Sequence, residues 1–192
     1  KWIMKLTEAR KIAEKILRDI RKCSVRAEIA GSIRREKSEV KDIEIVAVIS
    51  DYNKLFRLMK KHGQFIKPGV PDIIPWEPHI DAKYLRLILN EGIKLDLFIP
   101  KIDNWGAIYC MRTGSGVGPN GSPWTGFIPA MFSQWKRVSG GVKMVEGYPT
   151  TPEGEKIKTF EEEDFFNLLG VKFVDPKDRI DAQIVKKSLI KE

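Results

Sequence analysis

Only two cysteines, Cys23 and Cys110, occur in 192 residues, and neither stands in a CxxC or Cys/His spacing. A disulfide framework and a zinc site are thereby excluded as organising devices, and a reducing, cytosolic compartment is expected. No apolar run approaches the roughly 20 residues that a membrane helix needs, and no signal-peptide pattern opens the chain, so a membrane partner is not expected. Internal repeats and low-complexity tracts are absent too, which excludes a solenoid and argues against disorder except at the ends. The two histidines, His62 and His79, read as a helix end and a turn residue rather than as ligands.

What is present is an ordinary globular balance, 42% hydrophobic and 31% charged, in a chain long enough to bury a core without staples. Lys and Arg number 34 against 26 Asp and Glu, a net charge of +8. The first 41 residues hold 13 of those cations and six acids. Such a surplus favours a polyanionic partner, and a solvated helix face is the plain alternative.

Apolar residues from Leu6 to Ile20 recur at helical spacing, with Thr7 placed to cap the first turn. Val25 to Ala30 reads as a short strand, Gly31-Ser32 as a sharp corner, and Asp42 to Ile49 as a central strand, apolar on both faces beyond its first residues. Tyr52 to His62 reads as a helix and Gly63 to His79, with four prolines, as a loop. KYLRLIL and IKLDLFI, separated by Asn90-Glu91-Gly92, form a hairpin pattern. A helix over Asn104 to Met111 leads into TGSGVGPNG, and Ser122-Pro123 starts another that runs to about Lys136 despite Pro129. Short strands are expected over Val142 to Tyr148 and Lys156 to Thr159. FEEEDFFNLL is a helix with Thr159 and Glu162 at capping-box spacing and Gly170 as its stop.

In a strand, residues two apart share a face, so Asp42 and Glu44 set two carboxylates side by side, roughly 6 to 7 Å apart. Like charges there repel unless a cation lies between them. Asp96 interrupts the apolar strand KLDLFIP in the same way and is the natural third member if the strands are neighbours. Three hard oxygen donors suit Mg²⁺ together with substrate phosphate, and two such ions serve phosphoryl transfer, with Asp96 as candidate base or base-assisting ligand. Upstream, the Gly31 corner, the Ser32 hydroxyl and the guanidinium groups of Arg34 and Arg35 are suited to phosphate.

GSIRREKSEVKDIEI resembles the Gly-Ser, Arg-Arg and paired-acid signature of the DNA polymerase X family, the polymerase-beta-like nucleotidyltransferases. IKLDLFIPK resembles the strand bearing that family's third acid, MRTGS its YFTGS element, and FEEEDFFNLLGVKFVDPKDR its closing thumb segment. Together these cover most of Leu6 to Arg179. The resemblance implies an α+β fold: a mixed-sheet palm with flanking helices over residues 1–112, a small α+β thumb over 113–180 and a C-terminal extension over 181–192. It implies that Asp42, Glu44 and Asp96 bind two Mg²⁺ ions and that Gly31, Ser32 and Arg35 meet the triphosphate. Met111, Arg112, Thr113 and Gly114 fall where the family holds the nucleotide's sugar. The implied activity is DNA-directed nucleotidyl transfer from a dNTP to a primer 3′ hydroxyl, filling gaps in DNA repair, by a monomer.

The pattern also departs from the family. Glu44 stands for a second aspartate, which brings Mn²⁺ into play. Lys41 replaces a small residue, and Met111-Arg112 replace an aromatic pair. The 115–125 loop is longer than the family pattern, with Asn120 read as a turn residue. Ahead of Leu6 there is no counterpart of the lyase and hairpin regions, so lyase activity is not expected. A template-independent nucleotidyltransferase, acting on DNA ends, RNA, protein or a small molecule, is the alternative. A nucleic-acid-binding module with a degenerate site is the third reading. Trp76, Trp105, Trp124 and Trp135 read as core or interface residues, with stacking on a base as the alternative for Trp124 beside the glycine-rich loop.

Overall fold

The computed structural model describes residues 3–191; Lys1, counted above among the cations, lies outside them, as do Trp2 and Glu192. The chain divides into two compact units, Lys1–Pro100 and Lys101–Glu192. This division falls ahead of the expected limit at 112, because Ala107 and Cys110 of the helix that follows are buried in the second unit's core.

In the first unit, β1 (Met4–Lys5) runs straight into α1 (Leu6–Arg21). Thr7 does not cap this helix: Lys5 is the N-cap residue, without a side-chain hydrogen bond. The Leu6 amide instead donates to the Ser38 carbonyl at 3.0 Å, which satisfies one of the orphan donors of the first turn. Ala9, Ala13, Ile16, Leu17 and Ile20 recur every three or four residues and are buried on one face. Then follow β2 (Ser24–Ile29), the single turn α2 (Gly31–Arg34), β3 (Glu39–Val40) and β4 (Asp42–Ile49). The unit closes with α3 (Tyr52–Met59), β5 (Gly63–Ile66), β6 (Tyr84–Leu89) and β7 (Lys94–Phe98).

The main sheet has the order β2-β4-β7-β6-β5, and β1 pairs with β3 apart from it. β4 and β7 are parallel and the other neighbours antiparallel, so the chain is α+β with a mixed five-stranded sheet. β4 is central as expected, with Ile43, Ile45, Val46 and Ala47 all fully buried. The hairpin turn closes through the Gly92 amide on the Leu89 carbonyl at 2.8 Å, with Gly92 at φ 91°, a conformation costly for other residues. Gly63 to His79 is not all loop. β5 forms ahead of its prolines and buries Phe65 and Ile66 at the sheet edge.

The second unit starts with a 3₁₀ turn at Ile102–Asn104 and α4 (Trp105–Thr113). After a further turn at Pro123–Thr125 come α5 (Phe127–Ser139), α6 (Glu162–Leu169) and α7 (Ala182–Lys187). Ser122-Pro123 therefore opens a 3₁₀ turn and Gly126 is the N-cap of α5. Pro129 is the third residue of that helix, where a missing N–H costs no intrahelical bond. The two short strands expected between Val142 and Thr159 do not form; only the single bridges Val145↔Tyr148 and Thr150↔Lys156 occur. Gly140, Gly141, Gly147 and Gly154 all take positive φ and bend the chain before a ladder can extend. α7 buries Val185 in this core, with Ile184 and Leu189 packed against it, so this helix of the expected extension belongs to the second unit.

Candidate functional site

The register of the first sheet decides where the acids go. Glu44 of β4 lies directly opposite Asp96 of β7, and Asp42 opposite Lys94. Residues paired in this way point to the same side. Asp42, Glu44 and Asp96 therefore share one face, while Ile43, Ile45, Leu95 and Leu97 line the other and belong to the core beneath α1. The apolar face fixes the register and thereby holds the acids in place.

Gly31, Ser32 and Arg35 are brought to the same strand by α2. The Ala30 amide donates to the Glu44 carbonyl at 2.9 Å. Gly31 sits at φ 60°, and a Cβ there would come within 1.9 Å of Glu44 Oε2. Only glycine fits both the backbone and the carboxylate that lies over it. Ser32 is half-buried, and its carbonyl accepts from the Lys37 amide at 3.0 Å. Arg35 follows α2 as its C-cap. Burial lowers its pKa, and the charge of Glu44 opposes that shift.

Asp96 is 5% exposed and is engaged by two side chains that the sequence reading did not single out. Arg86 of β6 donates Nε to Oδ1 at 2.7 Å and Nη2 to Oδ2 at 3.1 Å, and the Tyr84 hydroxyl donates to Oδ1 at 2.6 Å. The hydrogen bond to Asp96 raises the Arg86 pKa, and burial opposes it. The available signal was the alternation Tyr84-Leu85-Arg86-Leu87, which puts both polar residues on one face of the hairpin partner of β7. Asp42 has its pKa raised, first by burial and then by the charge of Asp96, with Arg86, Lys94 and Lys41 opposing.

Three carboxylates are an all-oxygen donor set matched to Mg²⁺ or Mn²⁺. Burial is the first cause of the raised Asp42 pKa and the charge of Asp96 the second; a bound divalent ion would offset both, so the residues fit one. As the side chains stand, Asp96 faces Arg86 and Tyr84, and among the described residues no three His, Cys, Asp or Glu are gathered as a metal-binding group.

Met111, Arg112, Thr113 and Gly114 lie in the second unit, at the end of α4. Met111 packs against that unit's core and Arg112 is exposed. Thr113 is fully buried and spends its hydroxyl on the Tyr109 carbonyl at 2.7 Å. Gly114 is a packing glycine, since a Cβ would meet Phe127 at 2.4 Å and Ile128 at 2.7 Å. In the following loop, Asn120 Oδ1 accepts from the Ser122 amide and the Thr125 hydroxyl, which makes it a turn residue. Trp124 beside it is 88% exposed.

Cys23 and Cys110 are buried and unbridged, and burial pushes the Cys23 thiol up to about 11, far from a reactive thiolate. Among the described residues no helix is long and apolar enough to cross a membrane. In comparisons with known proteins, no family model and no curated protein matches the chain.

Proposed function

We propose that this chain is a nucleotidyltransferase of the polymerase-beta-like type, with the first unit as its palm, transferring a nucleotide from a dNTP to a DNA 3′ hydroxyl with release of pyrophosphate. The observation that carries the reading is the placement of Asp42, Glu44 and Asp96 on one face of neighbouring strands, beside a glycine corner that only glycine can make. Two Mg²⁺ ions, or Mn²⁺, held by these carboxylates would supply a lowered pKa for the attacking hydroxyl and neutralise charge on the leaving pyrophosphate. Gly31 and Ser32 let the α2 backbone approach the triphosphate, and Arg35 meets its charge with a guanidinium held near Glu44. Arg86 orients Asp96 and offsets its charge, and Asp96 would be the third carboxylate to hold the ions. Short gaps in duplex DNA are the proposed substrate, and the protein acts as a monomer inside the cell.

The test is extension of a labelled primer on a one-nucleotide-gapped duplex and, in parallel, on a single strand, with Mg²⁺ or Mn²⁺ and each dNTP. Templated addition that disappears in Asp96→Ala is the expected result. Untemplated addition would replace the polymerase with a terminal transferase, and no transfer to either DNA would overturn the assignment in favour of another acceptor.

A further inference from the structure

Lys11, Lys15, Arg18 and Lys22 follow one another at intervals of four, three and four along α1, and all four are exposed. This spacing puts them on a single stripe, opposite the buried line of Ala9, Ala13, Ile16 and Ile20. At 1.5 Å per residue the stripe is about 16 Å long. Two of its cations are tied to carboxylates, Lys22 to Asp19 at 2.8 Å and Lys15 to Glu91 at 3.9 Å. Among the described residues, no ion pair engages Lys11 or Arg18. Glu8 and Glu14 are the other acids of the helix, yet the first 41 residues carry seven of the eight net positive charges.

The location matters as much as the charge. α1 covers the apolar face of the sheet, where it packs with Ile43, Ile45 and Ala47, whereas Asp42, Glu44 and Asp96 occupy the opposite face. The outer side of α1 is therefore turned away from the acids by the full thickness of the sheet and helix layers. A polyanion lying on this stripe is not the strand end that reaches the carboxylates.

We infer that the outer face of α1 is a second docking surface, separate from the acid-bearing face of the sheet, that tracks the phosphate backbone of intact duplex DNA. The inference rests on the proposed function only for the choice of DNA as the polyanion. Each phosphate contact releases counterions and adds about 0.9 to the slope of log affinity against log salt. Replacing Lys11, Lys15 and Arg18 together by Gln removes three exposed charges and no core contact, and Lys22 keeps its Asp19 pair.

The probe is a blunt, fully paired, labelled duplex, which offers no primer end to the acids, followed by anisotropy over a salt series. The triple variant is expected to lose roughly 2 to 3 from the slope while retaining its melting temperature and its transfer rate at saturating gapped DNA. An unchanged slope would overturn the inference, and so would loss of binding to anionic phospholipid vesicles with duplex binding intact. If wild-type protein transfers no nucleotide but the slope still falls, the docking surface stands and the proposed activity fails.

Discussion

At the scale of single residues the site is governed by what a side chain leaves no room for. Gly31 combines a left-handed backbone with a carboxylate where its Cβ would be, and these two constraints separate experimentally. Gly69 has φ 76° but nothing within 4 Å of a Cβ, so Gly69→Ala meets the backbone penalty alone, about 1 to 2 kcal/mol. Gly31→Ala meets the same penalty and must also push Glu44 aside. Chemical denaturation is expected to find Gly31→Ala the more destabilising of the two, and primer extension to find that only Gly31→Ala loses nucleotide transfer. Equal loss of stability with full activity in both would mean that Glu44 moves freely and is not held by the corner.

At the scale of elements, α1 is fastened through a polar contact that nothing in its apolar spacing announced. His62, 6% exposed, places Nε2 2.6 Å from Asp19 Oδ2, and Lys22 donates to the other oxygen at 2.8 Å. The Lys22 hydrogen bond first, and the His62 one second, hold the Asp19 carboxyl below its usual range. A carboxylate whose pKa is depressed by folding contributes stability above its unfolded value, near 3.9, and loses it as pH falls through the folded value. The stability difference between wild type and Asp19→Asn is therefore expected to be full at neutral pH and to close as pH drops below about 4. Urea midpoints measured across that range check it, and a constant difference would remove Asp19 ionisation from the account.

Elements with a strong apolar period were legible, namely α1, β4, the β6–β7 hairpin and the helix stopped by Gly170. Legibility failed where a polar group had a distant partner. Thr159 and Glu162 have the spacing of a capping box, but the box forms two residues on, where the Glu161 amide donates to Asp164 at 2.9 Å. Thr159 accepts the Ala107 amide at 3.0 Å instead, and Glu162 turns inward to Arg179. The acids Asp42, Glu44 and Asp96 were legible because each breaks an apolar strand. Arg86 and Tyr84 were not, since their meaning depends on the register between β6 and β7, which no local pattern states.

At the scale of the molecule the two units have separate cores, one running from Met4 to Ile99 and the other from Ala107 to Val185, and separate cores predict separable opening. The second core is organised around a buried charge. Arg179 is fully buried, donates Nη1 to Glu162 at 2.6 Å and Nε to the Val174 carbonyl at 2.9 Å, and lies over the adjoining rings of Phe166 and Phe173. Replacing it by Met keeps much of the contact with the rings but strands the Glu162 carboxylate, at a cost of about 3 to 5 kcal/mol. Adding Glu162→Leu removes the stranded charge and is expected to restore most of that loss, because an apolar pair of similar volume can match a buried ion pair. Hydrogen exchange gives the readout by location. Amides of α4, α5 and α6 are expected to exchange faster in Arg179→Met, while those of β4, β6 and β7 keep wild-type rates. Equal acceleration in both sets would show that the whole chain opens as one cooperative unit, and the acids on β4 and β7 would then depend on the integrity of a core to which they contribute no residue.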